Sequence, residues 1–268
     1  IGLRSRFDTR VSGATQVEVV TEGVLTRMLL TDPELSGYGA VIFDEFHERS
    51  LPGDTGFALA LHARVTAGLD AALLVMSATI DSQQISMALG GDGPPAPVIE
   101  SPGRTFPVEL VWRPRKARSP LVPAVVKTVV EALRSSGDVL VLLPGVGEIR
   151  RTERELAAAV GPEGPAILPL HGSLAAVEQD AALIARASRR VVLATDLAET
   201  SLTVDGITAV VDAGLARVPR FDTRTGMTAL TTVSTSRASA DQRAGRSGRL
   251  GPGMAYRLWS KLEHASRP

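Results

Sequence analysis

Two adjacent carboxylates follow a run of strand-forming residues in the first part of the chain. Residues 41–50 read VIFDEFHERS, so Asp44 and Glu45 come directly after an apolar stretch. Because an unpaired charge is costly to bury, two acidic side chains at the end of a strand imply either a use for them or a loop that leaves the sheet. Open α/β sheets usually bind ligands beyond the carboxyl ends of their strands. The pattern favours a site for a metal ion and a nucleotide, with a charged surface loop as the alternative.

Three further segments place polar side chains after apolar ones or at regular spacing. Ser77, Ala78 and Thr79 follow one apolar run, residues 195–201 (TDLAETS) follow another, and residues 242–249 read QRAGRSGR. Each segment alone has an ordinary structural explanation, since Ser and Thr cap helices and arginines three residues apart often form a solvated helical face. The order and kind of the whole set favour a functional site over these explanations.

Composition narrows the class of protein before any motif is weighed. The 268 residues are 44% hydrophobic, which is ample for packed cores, and they carry no net charge. A nucleic-acid surface must therefore be local. The chain has no cysteine, which excludes disulfides and cysteine zinc sites. It shows no signal pattern and no apolar run of membrane-spanning length, so we expect a soluble cytoplasmic protein with no membrane partner.

Alternating strand and helix signals predict a parallel-sheet α/β architecture. The signals predict strands at residues 17–20, 40–43, 73–76, 139–143, 166–170, 191–194 and 207–211, and helices near residues 55–67, 148–160 and 175–186. Gly and Pro are frequent between Gly90 and Pro123, which predicts a connection between two α/β units, the first of them short. Residues 217–235, with a polar turn at residues 222–226, predict a β-hairpin.

The motif segments, taken in order, resemble the DExH/DEAH-box branch of the superfamily 2 helicases, and in particular its bacterial HrpB-type members. The resemblance rests on six segments: TEGVLTRML at 21–29, DEFH at 44–47, SAT at 77–79, LLPGVGEI at 142–149, ATDLAETSLTV at 194–204 and QRAGRSGR at 242–249. It covers nearly the whole chain. One segment alone is modest support, whereas six in the family's order are not expected by chance.

The resemblance implies two RecA-like parallel-sheet domains in tandem. Residues 1–105 would be the C-terminal part of the first, ATP-binding helicase domain, truncated at its N-terminus, and residues 106–268 would be the second helicase domain. The implied function is an ATP-dependent helicase that couples hydrolysis of ATP with Mg²⁺ in the interdomain cleft to translocation or unwinding, with single-stranded RNA favoured over DNA. One alternative is a catalytically inactive helicase-fold module that binds nucleic acid. A nuclease-helicase subunit is a weaker alternative, because DEFH and QRAGRSGR argue against it.

The resemblance also assigns roles around ATP. Asp44 would hold Mg²⁺, with Glu45 beside the metal as general base toward the attacking water. His47 would link the nucleotide site to the second domain, and two arginines would act as arginine fingers on the γ-phosphate. The implied catalytic set is Asp44, Glu45, Gln242, Arg246 and Arg249, and the nucleotide-binding set adds His47, Ser77, Thr79, Ser201 and Asp205.

Nucleic acid would be held mainly through its phosphates, by hydroxyls and backbone amides, which is compatible with zero net charge. The implied contact residues are Thr21, Glu22, Gly23, Arg27, Thr195 and Thr203. The hairpin at residues 217–235 would be the family's strand-separating hairpin, with an ordinary surface hairpin as the alternative. Arg243 lies on a different helical face from the two arginine fingers, and we expect it to be structural or to lie beside the RNA.

One family element is absent from the sequence. A P-loop has the pattern GxxxxGK[ST], whose lysine reaches the β- and γ-phosphates, and none of the three lysines, Lys116, Lys127 and Lys261, follows a glycine. We therefore expect a fragment of a longer helicase, cut at both ends. We also expect residues 1–268 alone to show no ATP hydrolysis stimulated by nucleic acid, and the second domain to be the better folded half.

Overall fold

The computed structural model describes residues 1–78, 82–101, 106–116, 119–135, 137–184, 188–196 and 203–268. The chain divides into two compact units, Ile1–Ser101 (unit 1) and Pro102–Pro268 (unit 2). Strands and helices alternate along both units, which confirms the expected α/β class. Within the described ranges, no helix is both long enough and apolar enough to cross a bilayer.

Unit 1 consists of short strands and three helices in its described part. The strands are β1 (Gly2–Arg4), β2 (Thr9–Arg10), β3 (Glu18–Val20), β4 (Ala40–Phe43) and β5 (Ala72–Val75), and the helices are α1 (Glu22–Thr31), α2 (Leu51–Thr66) and α3 (Ser82–Gly90). β1 pairs antiparallel with β2 and parallel with β3, while β4 pairs parallel with β5. A 3-10 turn, Phe46–Glu48, follows β4.

The core of unit 1 lies on one face of the β4–β5 pair. Val41 and Phe43 of β4 are buried, whereas Ile42 between them is 55% exposed. This alternation follows from the two-residue period of a strand. Phe43 packs edge-on against Phe46 and Phe57, with ring centroids 6.2 and 5.4 Å away. The helix α2, which carries Phe57, therefore packs under the strand that leads to the acidic turn.

Unit 2 is built on six parallel strands in the order β6-β13-β10-β7-β9-β8. The strands of the unit are β6 (Val108–Trp112), β7 (Asp138–Leu142), β8 (Ala166–Leu170), β9 (Arg190–Ala194), β10 (Ile207–Asp212), β11 (Leu215–Asp222), β12 (Met227–Ser234) and β13 (Gly253–Arg257), and its helices are α4 (Leu121–Ala132), α5 (Val146–Val160), α6 (Ala176–Leu183), α7 (Arg237–Gly245) and α8 (Lys261–Ala265). β11 and β12 form a separate antiparallel hairpin. A 3-10 turn, Arg246–Gly248, continues α7.

Helices cover both faces of the six-stranded sheet. Val129 of α4 and Ile149 of α5 pack into the core on one face, and Ala182 of α6 and Ala244 of α7 pack into the core on the other. Every residue of β7 and β9 is buried. Continuous apolar strands are typical of parallel sheets that are covered on both sides, which explains why these strands are readily predicted from sequence.

The strands expected from sequence are all observed, with bounds within one residue of those predicted. The expected hairpin is β11–β12. The helix expected at residues 175–186 is observed as α6, which ends at Leu183, and residues 185–187 lie outside the described residues.

The stretch between Gly90 and Pro123, expected to connect two α/β units, contains the boundary between unit 1 and unit 2. β6 and the start of α4 lie within that stretch. Pro107 comes just before β6, at the edge of the sheet, and Pro123 lies in the first turn of α4, which are positions where proline is tolerated. Pro107 and Pro123 thus lie at the starts of elements, whereas Pro94, Pro95 and Pro97 lie in a stretch without helix or strand.

A fully buried arginine at the start of β9 ties two loops of unit 2 together. The Arg190 side chain is 0% exposed, and its Nε donates to Asp138 Oδ2 at 2.7 Å. The other guanidinium nitrogens donate to four backbone carbonyls, those of Ala182, Leu183, Ile184 and Asp205. These carbonyls belong to the end of α6 and to the loop before β10. A buried ion pair is costly to desolvate unless its remaining hydrogens find acceptors, and here they do.

We predict that Arg190→Met lowers the free energy of unfolding of unit 2 by about 3–5 kcal/mol, because it leaves the Asp138 charge buried without its partner. The double variant Asp138→Asn/Arg190→Met should recover only part of this loss, since the four carbonyls still lack donors. Urea unfolding followed by the fluorescence of Trp112 and Trp259 measures both. Arg154→Met, at an exposed arginine of α5, is the control and should stay within about 0.5 kcal/mol of the wild type. Full recovery in the double variant would contradict the role given to the carbonyl contacts.

Candidate functional site

The acidic turn of unit 1, Asp44–Glu48, follows directly from β4. Asp44 is exposed, and its Oδ1 accepts a hydrogen bond from the Glu45 backbone N–H at 2.9 Å. Glu45 has a left-handed backbone conformation with φ of 50°, which is uncommon outside glycine. The next residue, Phe46, is buried in the aromatic cluster of unit 1, and its N–H donates to the Met76 carbonyl at 3.0 Å. The buried ring holds the turn in place while both carboxylates reach solvent.

His47 connects the acidic turn to the SAT segment that follows β5. Its side chain is 8% exposed, and its Nδ1 lies 3.4 Å from both Glu45 Oε2 and the Ala78 backbone nitrogen. A ring nitrogen accepts from an N–H only when it carries no hydrogen, and it donates to a carboxylate only when it carries one, so these two contacts are alternatives. The segments meet because β4 and β5 pair in parallel, with Phe43 opposite Val75.

The TEG segment begins α1. Thr21 is the N-cap residue of the helix, but its side chain makes no capping hydrogen bond. Gly23 and Arg27 are exposed. Glu22 is instead engaged within unit 1, because Ser50 Oγ donates to Glu22 Oε1 at 2.5 Å. The structure thus leaves all four residues exposed, and Glu22 also makes a contact within unit 1.

The contact of Glu22 reaches the helix that follows the acidic turn. Ser50 is the N-cap residue of α2, and its Oγ accepts from the Gly53 N–H at 3.0 Å. A side chain at Gly53 would place its Cβ 2.7 Å from Glu22 Oε1, so the Glu22 carboxylate would have to shift from its present position. Glu22, Ser50 and Gly53 form what we call the Glu22 clip, which joins the TEG segment to the segment after DEFH.

The QRAGRSGR segment of unit 2 forms the end of α7 and the 3-10 turn after it. Arg246 is 6% exposed, whereas Arg249 is exposed. The two arginines expected to act on ATP therefore differ in accessibility. Arg243 is buried, and its Nη1 lies 3.1 Å from Asp212 Oδ1, which supports the structural role that was one of the two expected for this arginine.

The residues of unit 2 expected to contact nucleic acid lie near strand ends and the 3-10 turn. Thr195 directly follows β9, and its N–H donates to the Leu170 carbonyl at 3.3 Å. Thr203 is exposed, and its Oγ1 accepts from Arg249 Nη1 at 3.0 Å. A residue expected to bind nucleic acid thus contacts a residue expected to bind ATP.

The remaining residues expected to bind nucleotide occur in both units. Ser77 is exposed next to the His47 contact, and Asp205 is exposed before β10. Gln242 is half-buried in α7. Thr79 and Ser201 lie outside the described residues.

The carboxylates of the acidic turn suit a magnesium ion. Mg²⁺ prefers oxygen ligands and is commonly held by one or two carboxylates together with water and substrate phosphates. Asp44 is exposed and oriented by the Glu45 amide, and the Glu45 side chain is 41% exposed. Among the residues that the structure describes, no group of three or more His, Cys, Asp or Glu side chains comes together as a metal cage. The turn therefore fits an ion that shares its coordination with a phosphate.

Sequence reasoning missed two residues that shape the acidic turn, Ser50 and Gly53. A serine ahead of a proline in the first helical turn is a helix-start signal, and Ser50 precedes Leu51-Pro52. That signal could have moved the predicted start of α2 from residue 55 to Leu51. The contact with Glu22 could not be predicted, because it joins residues 28 apart in the chain through tertiary packing.

Comparison with known proteins agrees with the motifs and the fold. A family model for the helicase conserved C-terminal domain matches residues 124–251. The chain is 48% identical to the ATP-dependent RNA helicase HrpB of Escherichia coli (strain K12) over 270 residues, which cover 100% of this chain and 33% of HrpB. It is 37% identical over 269 residues, 97% of its length, to the pre-mRNA-splicing factor ATP-dependent RNA helicase prp22 of Schizosaccharomyces pombe, of which it covers 22%. A crystal structure of the Escherichia coli DEAH/RHA helicase HrpB superposes with a TM-score of 0.90 at 46% identity, covering 99% of this chain and 34% of that one.

The six-stranded parallel sheet, the acidic turn and the arginine-rich helix end define an α/β protein with the RecA-like fold of helicases. Along its whole length the chain is similar to DExH-box helicases of the HrpB type, and residues 124–251 match the helicase conserved C-terminal domain. It spans about a third of the length of HrpB, 33% of that sequence.

We predict that Gly53→Ala breaks the Glu22 clip without altering either carboxylate of the acidic turn. The new Cβ would lie 2.7 Å from Glu22 Oε1 and 2.9 Å from Ser50 Oγ, so one of these side chains must move. Loss of the cap should lower the free energy of unfolding of unit 1 by about 1–2 kcal/mol, measured by hydrogen exchange of the core amides of α2. Gly23→Ala is the matched control, because nothing lies within 4 Å of a Cβ at that helical position. It should be neutral or stabilising by about 0.5–1 kcal/mol, and equal effects of the two substitutions would contradict the clip.

Proposed function

We propose that the protein to which this chain belongs is an ATP-dependent RNA helicase. The observation that carries the proposal is that six helicase motif segments are kept in a chain that matches, along its full length, a relative named as an ATP-dependent RNA helicase. Residues 1–105 would then be part of the ATP-binding domain and residues 106–268 the second helicase domain. The catalytically inactive module is not favoured, because such a module has no need of a carboxylate pair at a strand end or of arginines at the end of α7.

In this proposal the carboxylates of the acidic turn and the arginines of the QRAGRSGR segment have different roles toward ATP. Asp44 holds Mg²⁺, which when bound supplies positive charge to the phosphate oxygens. Glu45 orients the attacking water and takes its proton on a carboxylate oxygen, and its exposure of 41% supports this role. Arg249 and Arg246 stabilise negative charge on the γ-phosphate, and the exposure of Arg249 supports this role for it. His47 joins the acidic turn to the SAT segment, since its Nδ1 lies 3.4 Å from both Glu45 Oε2 and the Ala78 backbone nitrogen.

RNA is the proposed nucleic acid, bound as a single strand through its phosphates. The exposure of Thr21, Gly23, Arg27 and Thr203 supports contacts of this kind, because hydroxyls, backbone amides and a guanidinium are all phosphate donors. Glu22 acts indirectly in this proposal, by holding Ser50 through the clip. Contacts to phosphates position the strand but carry no base sequence information.

We predict that Glu45→Gln keeps the affinity for ATP with Mg²⁺ and lowers turnover by roughly 10²–10⁴-fold, because the amide cannot take the proton of water. Phosphate release stimulated by RNA, measured on the full-length protein, gives turnover, and nucleotide titration gives affinity. Glu34→Gln makes the same change at an exposed carboxylate of unit 1 and should leave turnover unchanged. Near-normal turnover in Glu45→Gln would remove Glu45 from the role of general base.

We also predict that affinity for single-stranded RNA falls steeply with salt and varies little with base sequence. The logarithm of the affinity should fall against the logarithm of salt concentration by about 0.7 for each phosphate contacted. Fluorescence anisotropy with labelled homopolymers and a mixed sequence, at several salt concentrations, measures both dependences. A strong preference for one short sequence at fixed salt would argue against phosphate-dominated binding.

A further inference from the structure

The β11–β12 hairpin has little packing of its own. Its strands pair over eight positions, from Leu215 opposite Ser234 to Asp222 opposite Met227. All residues of β12 except Val233 are exposed, and Phe221 near the turn is 65% exposed. An isolated two-stranded hairpin is at best marginally stable in water. Whatever fixes the direction of this hairpin must act at its base.

Arg267, from the end of the chain, closes the base of the hairpin. Its Nη1 lies within hydrogen-bond distance of three acceptors that flank the two strands: Gly214 O at 2.9 Å, Thr235 O at 2.8 Å and Thr235 Oγ1 at 2.9 Å. The guanidinium carbon sits 4.1 Å from the centre of the Trp259 ring, a cation–π contact. Burial lowers the pKa of Arg267, and the charge of Asp212 opposes that shift. The Arg267 side chain therefore binds the residues that precede β11 and follow β12, and it is itself packed against the Trp259 ring.

A second arginine, Arg243 of α7, holds the first strand from inside unit 2. Its Nη1 lies 3.1 Å from Asp212 Oδ1 and 3.4 Å from the Leu215 carbonyl. The same Asp212 oxygen accepts from the Gly214 N–H at 2.7 Å. Gly214 has φ of 69°, and a Cβ there would lie 2.5 Å from the Trp259 ring and 2.6 Å from Arg267 Nη2. Glycine is required at this point because the backbone turns beneath both side chains.

A third attachment lies on the first strand itself. Arg217 Nη2 lies 3.3 Å from Glu148 Oε2 in the first turn of α5. A Cβ on Gly145 would lie 2.8 Å from the Arg217 guanidinium carbon, so the glycine of the LLPGVGEI segment leaves room for this arginine. The hairpin is therefore tied to α5, α7 and the end of the chain.

We propose that Arg267 and Arg243 are positioning residues that fix the angle at which the hairpin leaves unit 2, and that strand separation depends on this angle while ATP hydrolysis does not. The proposal rests on the proposed helicase function. A hairpin that separates two nucleic-acid strands must keep its position when the duplex is pushed against it. If the attachment of the hairpin to unit 2 were flexible, the hairpin would be displaced and the duplex would remain paired. Arg243 also belongs to α7, and Arg246 and Arg249 lie in and directly after the 3-10 turn that continues this helix. The helix that leads into the arginines proposed to contact ATP therefore carries one of the two anchors of the hairpin.

The test compares Arg267→Met with the wild-type full-length protein. Methionine keeps an apolar stem against Trp259 but donates to none of the three acceptors. Unwinding of a partial RNA duplex should fall about tenfold or more, while ATP hydrolysis stimulated by single-stranded RNA stays within about twofold. Arg154→Met makes the same change at an exposed arginine of α5 and should alter neither rate. Thr235→Val removes only the Oγ1 acceptor and should give an intermediate loss of unwinding.

Unchanged unwinding in Arg267→Met would overturn the proposal, and so would a parallel loss of unwinding and hydrolysis. Hydrogen exchange on residues 1–268 tests the anchoring without nucleic acid or ATP. The Thr235 N–H, which donates to Gly214 O at 3.1 Å, should exchange at least about tenfold faster in Arg267→Met, with the core amides of β7 and β9 unchanged. Uniformly faster exchange would mean that unit 2 has lost its fold rather than its anchor, and would overturn the positioning role. A wild-type protein without stimulated hydrolysis would contradict the proposed helicase function and leave the exchange result standing.

Discussion

Parallel pairing of strands is the constraint on which both units depend. Parallel neighbours end at the same edge of a sheet, so the residues that follow them are brought together whatever their separation in the chain. In unit 1 this brings Asp44 and Glu45 of the acidic turn to the SAT segment, through the pairing of β4 with β5. In unit 2 the same rule gathers Thr195 after β9 and Asp212 at the end of β10. The chemistry-bearing residues are spread over the sequence, and the register of the strands collects them.

Backbone carbonyls in the loops at strand ends require hydrogen-bond donors. In unit 2 the side chains of buried arginines donate to several of these carbonyls. Among the described residues, the largest side chains with almost no exposure are Arg190, Arg243 and Arg257. A guanidinium offers five N–H groups in a fixed plane, so a single side chain satisfies acceptors from several segments. Arg257, for example, donates to Ala240 O at 3.0 Å and to Asp241 Oδ1 at 2.5 Å. These arginines join segments that lie far apart in the chain, such as the end of α6 and the loop before β10, which Arg190 binds together.

The sequence was sufficient to predict the strands that contain an apolar run. β7 and β9 carry such a run after a first charged residue, because both of their faces are covered. β4 is apolar throughout, although only every second residue of it is buried. The short strands β1 and β2 and the edge strand β6 were not predicted, since two to five residues beside prolines or polar side chains carry little periodic signal.

For the candidate site, the motif residues could be predicted from the sequence but their contact partners could not. The motif residues were found because their types and order are informative, and Arg243, expected to be structural or to lie beside the RNA, pairs with Asp212. The partners of those residues were not predicted. Ser50 holds Glu22, and Arg267 lies 53 residues from the Gly214 carbonyl it binds, so both contacts depend on packing that no local pattern encodes.

The backbone of the acidic turn is under strain, and the strain limits which residues the turn accepts. Among the described residues, only Leu35, Glu45 and Arg49 have positive φ without being glycine, and the last two bracket the 3-10 turn. Each such conformation costs of order 1–3 kcal/mol, which the burial of Phe46 and the pairing of Arg49 with Asp54 at 3.0 Å help to offset. Glycine would relieve the strain at position 45 but remove the carboxylate. The acidic turn thus costs the fold some stability and in return holds a charged group at a fixed point. A sequence chosen only for stability would differ from this one first at the strained residues of the turn.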